Sequence, residues 1–452
     1  MAEELRTLAE FVCNFSLNDV DDTTLDRARR CVLDSLGAAL GAAKSEEICK
    51  IGNELIKWCS NGSNGKEADV WGQGYSSGLF NALLINGLMS HELEMDDVHT
   101  PSKSHIGAVV VPAAWTLADA LGASGHDLLE AVIAGYEIMA RVGMGMDVAS
   151  NRKRGWHATG VVGTFGAAAA AAKLFKLDAE RTAYALGLAG TQSSGLWAFL
   201  AEGASCKKLH PARAAVNGVS SCILAKGGMT GPIHILDAED GGLYKAISDS
   251  YDMSKLTQGL GKDYEINRMD KKPYPCCRTT HHAIDAALEL REKLDYEKIK
   301  SILVETYDVG VLQCGFVKYP ESPVEAKFSI AYTCAAAFVK GRVTMSEFSR
   351  DVIDDPLIKK LALSTKVIPN ELFTRRYPQR WGSRMTVTMD DGTEYIKQVD
   401  DMSGSVATPL SGKQEQDKFM GLVTTAFGEE RASRLLSSVL SIEQLDELPS
   451  LI

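Results

Sequence analysis

The chain has 452 residues, 45% of them hydrophobic and 24% charged, with a formal charge of −11. That length exceeds one ordinary core and predicts two domains. The negative charge argues against nucleic acid or an anionic membrane as the main partner, but allows a small anion held by local cations. The ten cysteines include no C-x-x-C pair, and scattered thiols in so long a chain read as reduced residues of a cytoplasmic protein. The N-terminus lacks the basic-then-apolar pattern of a secretory leader.

Residues 1–60 read as helices, with Leu25, Ala28, Val32, Leu36 and Ala39 at three- and four-residue steps. Ser60–Lys66 reads as a loop. Gly78–Ser90 and Val109–Leu121 read as helices on either side of a charged stretch. Asp127–Val142, apolar on nearly all sides, reads as a buried helix. Thr159–Leu174 and Asp178–Gly190 form a helical pair. Pro211–Lys226 is a helix with proline in its first turn and Gly227-Gly228 at its end. The longest apolar run, Gly155–Ala172, is interrupted by polar groups and makes a poor membrane span. Near residue 260 the pattern changes. Ile299–Tyr307 reads as a strand and Met385–Lys397 as a hairpin turning at Asp391-Gly392. Helices are expected at His282–Leu294 and Ala326–Val339, so this second part is α+β. Tail helices at Lys413–Phe427 and Glu430–Leu440 could cap either part.

The charged stretch His91–His105 holds three of the nine histidines and four acids: Glu92, Glu94, Asp96 and Asp97. Such an island is costly to bury unless its members are paired or used. It suits metal or proton-transfer chemistry, but His91-Glu-Leu-Glu-Met lacks the second histidine of H-E-x-x-H, so no metal is expected. His157 precedes a Gly/Ala-rich helix without the spacing of a dinucleotide loop. An imidazole at a helix N-terminus is disfavoured as a cation and tends to act as a neutral base. Cys206-Lys207-Lys208-Leu-His210-Pro-Ala-Arg213 places four basic groups at the mouth of a helix, a natural carboxylate site. A second basic run, Lys271–His282, contains Lys272, Cys277 and Arg278 and is stiffened by prolines. Bases, acids and two basic clusters suit proton transfer beside a carboxylate.

These motifs occur in a particular order: the acidic stretch with His105, Gly155-Trp156-His157, Lys207-x-Leu209-His210-Pro211, then Lys272-Pro-Tyr-Pro-Cys276 ahead of His282-Ala-Ile-Asp-Ala-Ala-Leu288. That order resembles the MmgE/PrpD family from about Thr24 to about Gly404. Its members include 2-methylcitrate dehydratase, cis-aconitate decarboxylase and iminodisuccinate epimerase. The resemblance implies a mainly α fold: a large all-helical domain (1–268 with 405–452) and a smaller α+β lid domain (269–404). It also implies a homodimer and catalysis without metal or organic cofactor. Carried over residue by residue, the decarboxylase's aspartate falls on Glu94, its loop histidine on His105 and its helix histidine on His157. Its active-site lysine falls on Lys207, its lid tyrosine on Tyr332 and its lid lysine on Lys272. There are departures. Asp96-Asp97-Val98 replaces a triplet ending in a polar residue, the loop to His105 is one residue longer, and Cys277 replaces a lid histidine. They argue against itaconate-forming decarboxylation.

The expectation is therefore a cofactor-independent lyase of the 2-methylcitrate dehydratase type, acting on a hydroxy di- or tricarboxylate. His157 or His105 moves the proton. Glu94, Asp96 and Asp97 orient the histidines and the substrate hydroxyl. Lys207, Lys272 and Arg278 grip carboxylates, with Lys208, His210 and Cys277 also lining the binding site. The alternatives are a dicarboxylate epimerase, a cis-aconitate-type decarboxylase and a non-catalytic carboxylate-binding protein. His91 and His99 fall to structural roles.

Overall fold

Small residues decide how the central helices meet. In the computed structural model, which describes residues 3–58 and 67–452, the chain forms two units. The first comprises Met1–Trp197, Cys206–Met269 and Ser411–Ile452; the second comprises Ala198–Ser205 and Asp270–Leu410. The expected loop at Ser60–Lys66 lies outside the described residues.

The first unit runs α1 (Glu3–Asn14), α2 (Asp22–Gly41), α3 (Glu46–Trp58), a hairpin of β1 (Glu67–Val70) and β2 (Tyr75–Gly78), and α4 (Leu79–Glu92). It continues with α5 (Gly107–Leu121), α6 (Gly125–Gly145), α7 (Val148–Lys153), α8 (Ala158–Leu174), α9 (Ala179–Gly190) and α10 (Leu209–Lys226). Asp21, Ser124 and Asp178 start α2, α6 and α9 by accepting a backbone N–H in the first turn. Helix α8 is buried along nearly its whole length, between α6 and α10. Such burial needs partners at close range, and glycine supplies it. A Cβ on Gly218 would lie 2.5 Å from the Ala167 Cβ and 2.6 Å from the Ala168 backbone nitrogen. The tail helices Gly412–Phe427 and Glu429–Leu440 complete this unit, burying Phe419, Val423, Leu435 and Val439 in its core. No helix among the described residues is long and apolar enough to cross a membrane.

The second unit is built on a four-stranded mixed sheet. Its strands are β3 (Ile299–Thr306), β4 (Thr365–Pro369), β5 (Ser383–Met389) and β6 (Glu394–Val399), in the order β4-β3-β5-β6. Only the β3–β4 pair is parallel. The expected Asp391-Gly392 turn joins β5 to β6, with Gly392 at φ +88°. The expected helix Ala326–Val339 is instead two, Pro323–Lys327 and Ile330–Lys340. The break falls where the Ser329 side chain caps the second helix by accepting from the Tyr332 N–H. The fold is thus mainly helical, with a small mixed sheet in the C-terminal part. The β1–β2 hairpin and β4 lie outside the expected elements.

Replacing Gly218 by Ala should lower the thermal midpoint by an amount equivalent to about 1–3 kcal/mol, because backbone on α8 cannot yield to the added methyl. Gly421→Ala, on the helix Gly412–Phe427 with nothing within 4 Å, should leave the midpoint unchanged or raise it. Thermal denaturation of the two variants measures the contrast.

Candidate active site

The charged stretch is folded by a reversal of the chain at the end of α4. Glu94 sits at φ +58°, the left-handed region that residues other than glycine seldom occupy. This turn brings Asp96 back over the last turn of α4, where its Oδ2 lies 2.9 Å from His91 Nδ1. The same oxygen lies 2.8 Å from His105 Nδ1. Asp96 has no exposed surface. His105 is positioned from its other side by α8, since its backbone N–H donates to the Thr159 hydroxyl at 3.0 Å.

Asp97 has a different task. It accepts the Gly107 N–H at 2.8 Å and the Tyr136 hydroxyl at 2.8 Å, tying the start of α5 to α6. Burial, with the Asp97 charge behind it, pushes the Tyr136 phenol well above its usual range and keeps it a donor. His99 bonds to the Ser102 hydroxyl at 2.8 Å and to Glu265 at 3.1 Å, and braces the loop against the 3-10 turn Glu265–Arg268.

His157 stands at the N-cap of α8, its backbone N–H donating to Gly195 O at 3.0 Å. Its Nδ1 lies 2.9 Å from Nδ1 of His210, in the first turn of α10. The edge of Trp197 packs on the ring with centroids 5.3 Å apart, and Arg152 stacks on that indole at 4.2 Å. Burial first, and then His210, Lys207, His91 and His105 around it, hold His157 well below the ordinary imidazole range. Burial, with His91 and Lys207, lowers His210 to about 4. Both rings are therefore neutral at neutral pH. Lys207 Nζ donates to Glu94 Oε1 at 2.5 Å.

His91, His105 and His157 form one cluster. Ring centroids are 4.7 Å apart for His91–His105, 6.2 Å for His91–His157 and 6.3 Å for His105–His157. The site thus offers a carboxylate-backed histidine pair, a neutral histidine opposite them and an ammonium group. It can take up and deliver protons beside an anion.

Of the residues expected from sequence, Glu94, Asp96, His105, His157, Lys207 and His210 come together here. His91, assigned a structural role, is instead a central member of the cluster. No sequence signal announces this, because the Glu94 turn that folds Asp96 onto it uses a residue type that does not mark left-handed backbone. His99, expected to be structural, faces Ser102 and Glu265 and is not part of the three-histidine group. Lys208 pairs with Glu92 and, at 2.8 Å, with Glu47. The remaining candidates belong to the second unit. There Arg278 pairs with Asp270 at 2.6 Å and stacks 4.2 Å over Trp381. The Cys277 thiol accepts from Gln313 Nε2 at 3.0 Å, and Lys272 is wholly buried. Tyr332, also wholly buried, donates its hydroxyl to the Glu347 carbonyl.

A helical scaffold presents a buried histidine–carboxylate cluster with a lysine, groups suited to acid–base chemistry beside an anion. Residues 6–255 match the MmgE/PrpD N-terminal domain and residues 274–444 the MmgE/PrpD C-terminal domain, so the chain belongs to the MmgE/PrpD family. Among named relatives, human cis-aconitate decarboxylase is 27% identical, over 98% of this chain and 92% of its own length. The cis-aconitate decarboxylase-like protein oryM of Aspergillus oryzae is 27% identical, over 98% and 95%. The 2-methylcitrate dehydratase of Salmonella typhimurium is 22% identical, over 99% and 95%.

Below pH 6.5 the unfolded chain takes up protons that folded His157 and His210 refuse. Their contribution to stability is full above that pH and is lost as pH falls toward 4. His210→Asn should therefore make the fall of thermal midpoint between pH 6.5 and 4 shallower than in wild type. An unchanged slope in scanning fluorimetry would refute the assignment.

Proposed function

We propose that the chain is a lyase acting on a tricarboxylate, and that it releases carbon dioxide from a cis-aconitate-like substrate. The expectation from sequence put dehydration first. Similarity to the named decarboxylases, at 27% against 22% for the Salmonella dehydratase, reverses that order. The observation that carries the reading is Asp96 backing both His91 and His105 on one side of the cluster, with Lys207 in the same cluster. In decarboxylation, cleavage of the C–C bond expels carbon dioxide and leaves its electron pair on the substrate carbon skeleton. A proton must then reach carbon, and His105, whose imidazolium form the Asp96 carboxylate would stabilise, is the donor. Lys207, released from Glu94 or shared with it, holds a substrate carboxylate.

A second reading, dehydration of a 2-methylcitrate-like hydroxy acid, is favoured by one feature. His157 is held neutral, and a neutral imidazole is what proton abstraction beside a carboxylate requires. In that reaction His157 takes the proton and His105 gives one to the departing hydroxyl, so that water leaves and a double bond forms.

The test is incubation with cis-aconitate and, separately, 2-methylcitrate in deuterated water, followed by proton spectra and carbon dioxide release. Carbon dioxide from cis-aconitate supports the proposal. Water elimination from 2-methylcitrate without it selects the second reading, and deuterium exchange without an alkene or carbon dioxide selects the epimerase. His105→Gln and His157→Gln should each lower kcat by roughly a hundred- to ten-thousand-fold. Lys207→Ala should raise KM and lower kcat/KM by a similar order. Wild-type turnover in the histidine variants would overturn the site.

A further inference from the structure

The histidine cluster meets a second chemical specification. One ring nitrogen from each of His91, His105 and His157 lies within 4.8 Å of the other two. Each Nδ1 also has a group beside it. Asp96 Oδ2 is hydrogen-bonded to Nδ1 of His91 at 2.9 Å and stands 2.8 Å from Nδ1 of His105, while Nδ1 of His157 meets Nδ1 of His210 at 2.9 Å. Metal-ligating histidines are oriented by a hydrogen-bonding group behind the ring, as His91 and His157 are here. His91 Nε2 is buried without a hydrogen-bond partner, and Glu94 Oε1 lies 3.7 Å from it.

We propose that Nε2 atoms of His91, His105 and His157 bind a zinc ion, with Glu94 as the nearest carboxylate for a fourth position, and that the ion competes with the substrate. The three segments that supply the ligands are the end of α4, the loop before α5 and the N-cap of α8. No sequence spacing therefore reveals them. Zinc–nitrogen bonds of about 2.0–2.1 Å require nitrogens closer together than the upper bound of 4.8 Å. The corners of a triangle of that size would each have to move inward by about 0.8 Å to meet that bond length. The local charge favours a cation. Glu94 and Asp96 bring two negative charges against the one positive charge of Lys207. Imidazole donors select zinc or a similar transition ion over magnesium or calcium. A zinc ion held by three histidines would occupy the atoms that the proposed reaction uses for proton transfer. The competition part rests on the proposed function; the binding part does not.

The full-length chain, stripped with a chelator and dialysed, is titrated with zinc chloride by calorimetry. One ion per chain at micromolar affinity or tighter is expected. Cobalt(II) in place of zinc should give intense visible bands of a four-coordinate nitrogen site without a thiolate charge-transfer band. His91→Gln should weaken binding at least tenfold. Asp96→Asn should weaken it roughly ten- to a hundredfold, because the rings lose their anchor. Cys206→Ser and His234→Gln, at an exposed thiol and an exposed imidazole, should bind as wild type. If His91→Gln does not fold, His157→Gln carries the same comparison. Absence of stoichiometric binding, a thiolate band, or wild-type affinity in the folded histidine variant would overturn the site. Zinc inhibition that a chelator reverses and excess substrate relieves supports competition; binding without inhibition refutes it. A metal-free enzyme that turns over no tricarboxylate counts against the proposed function and leaves the binding result standing.

Discussion

Asp96 is a carboxylate with no exposed surface, placed within 2.9 Å of one imidazole and 2.8 Å of another. An ionised carboxylate in a helical interior costs several kcal/mol unless donors surround it. The Nδ1–H of His91 supplies part of that compensation when it donates to Asp96, a bond that leaves Nε2 of that ring as the acceptor. His105 Nδ1 stands close to the same oxygen, so one buried charge neighbours both rings. Burial lowers the proton affinity of His157, and the His210 imidazole behind it, in place of a carboxylate, and Lys207 lower it further. Three rings of one residue type thus receive two different environments, the arrangement by which enzymes separate acid from base.

Holding that arrangement needs a scaffold that does not yield. Helices α6, α8 and α10 meet through glycine and alanine, at distances where a single added methyl would strike backbone. His157 begins α8, Thr159 in its first turn fixes His105, and His210 begins α10. The rings therefore inherit the rigidity of close-packed helix ends, where a shift of one helix would move all of them together.

Much of this was legible in the sequence, and the exceptions have physical causes. The long apolar helices declared themselves by periodicity, and the β5–β6 hairpin by Asp391-Gly392. The β1–β2 hairpin and β4 are only four and five residues long, too short for a period of two to stand out. In the site, His105, His157, Lys207 and Asp96 were visible as charged groups set among apolar helices. His91 was not, because its role depends on a left-handed Glu94 that returns the chain to it. Asp97 looked equivalent to Asp96 in sequence, yet the two point to different partners, one to the histidines and one to Tyr136 and Gly107. Adjacent residues diverge in this way wherever the backbone turns between them.

Lys207 and Lys208 show how an acidic protein accommodates buried cations. Each is almost fully buried and already paired, Lys207 with Glu94 and Lys208 with Glu47 and Glu92. An unpaired ammonium at that depth would be strongly destabilising, so an internal carboxylate accompanies each. Lys208 faces two such carboxylates. Lys207 faces Glu94, a residue held in left-handed backbone. In the proposed reaction, a substrate carboxylate that replaces Glu94 would keep the Lys207 ammonium paired at that depth.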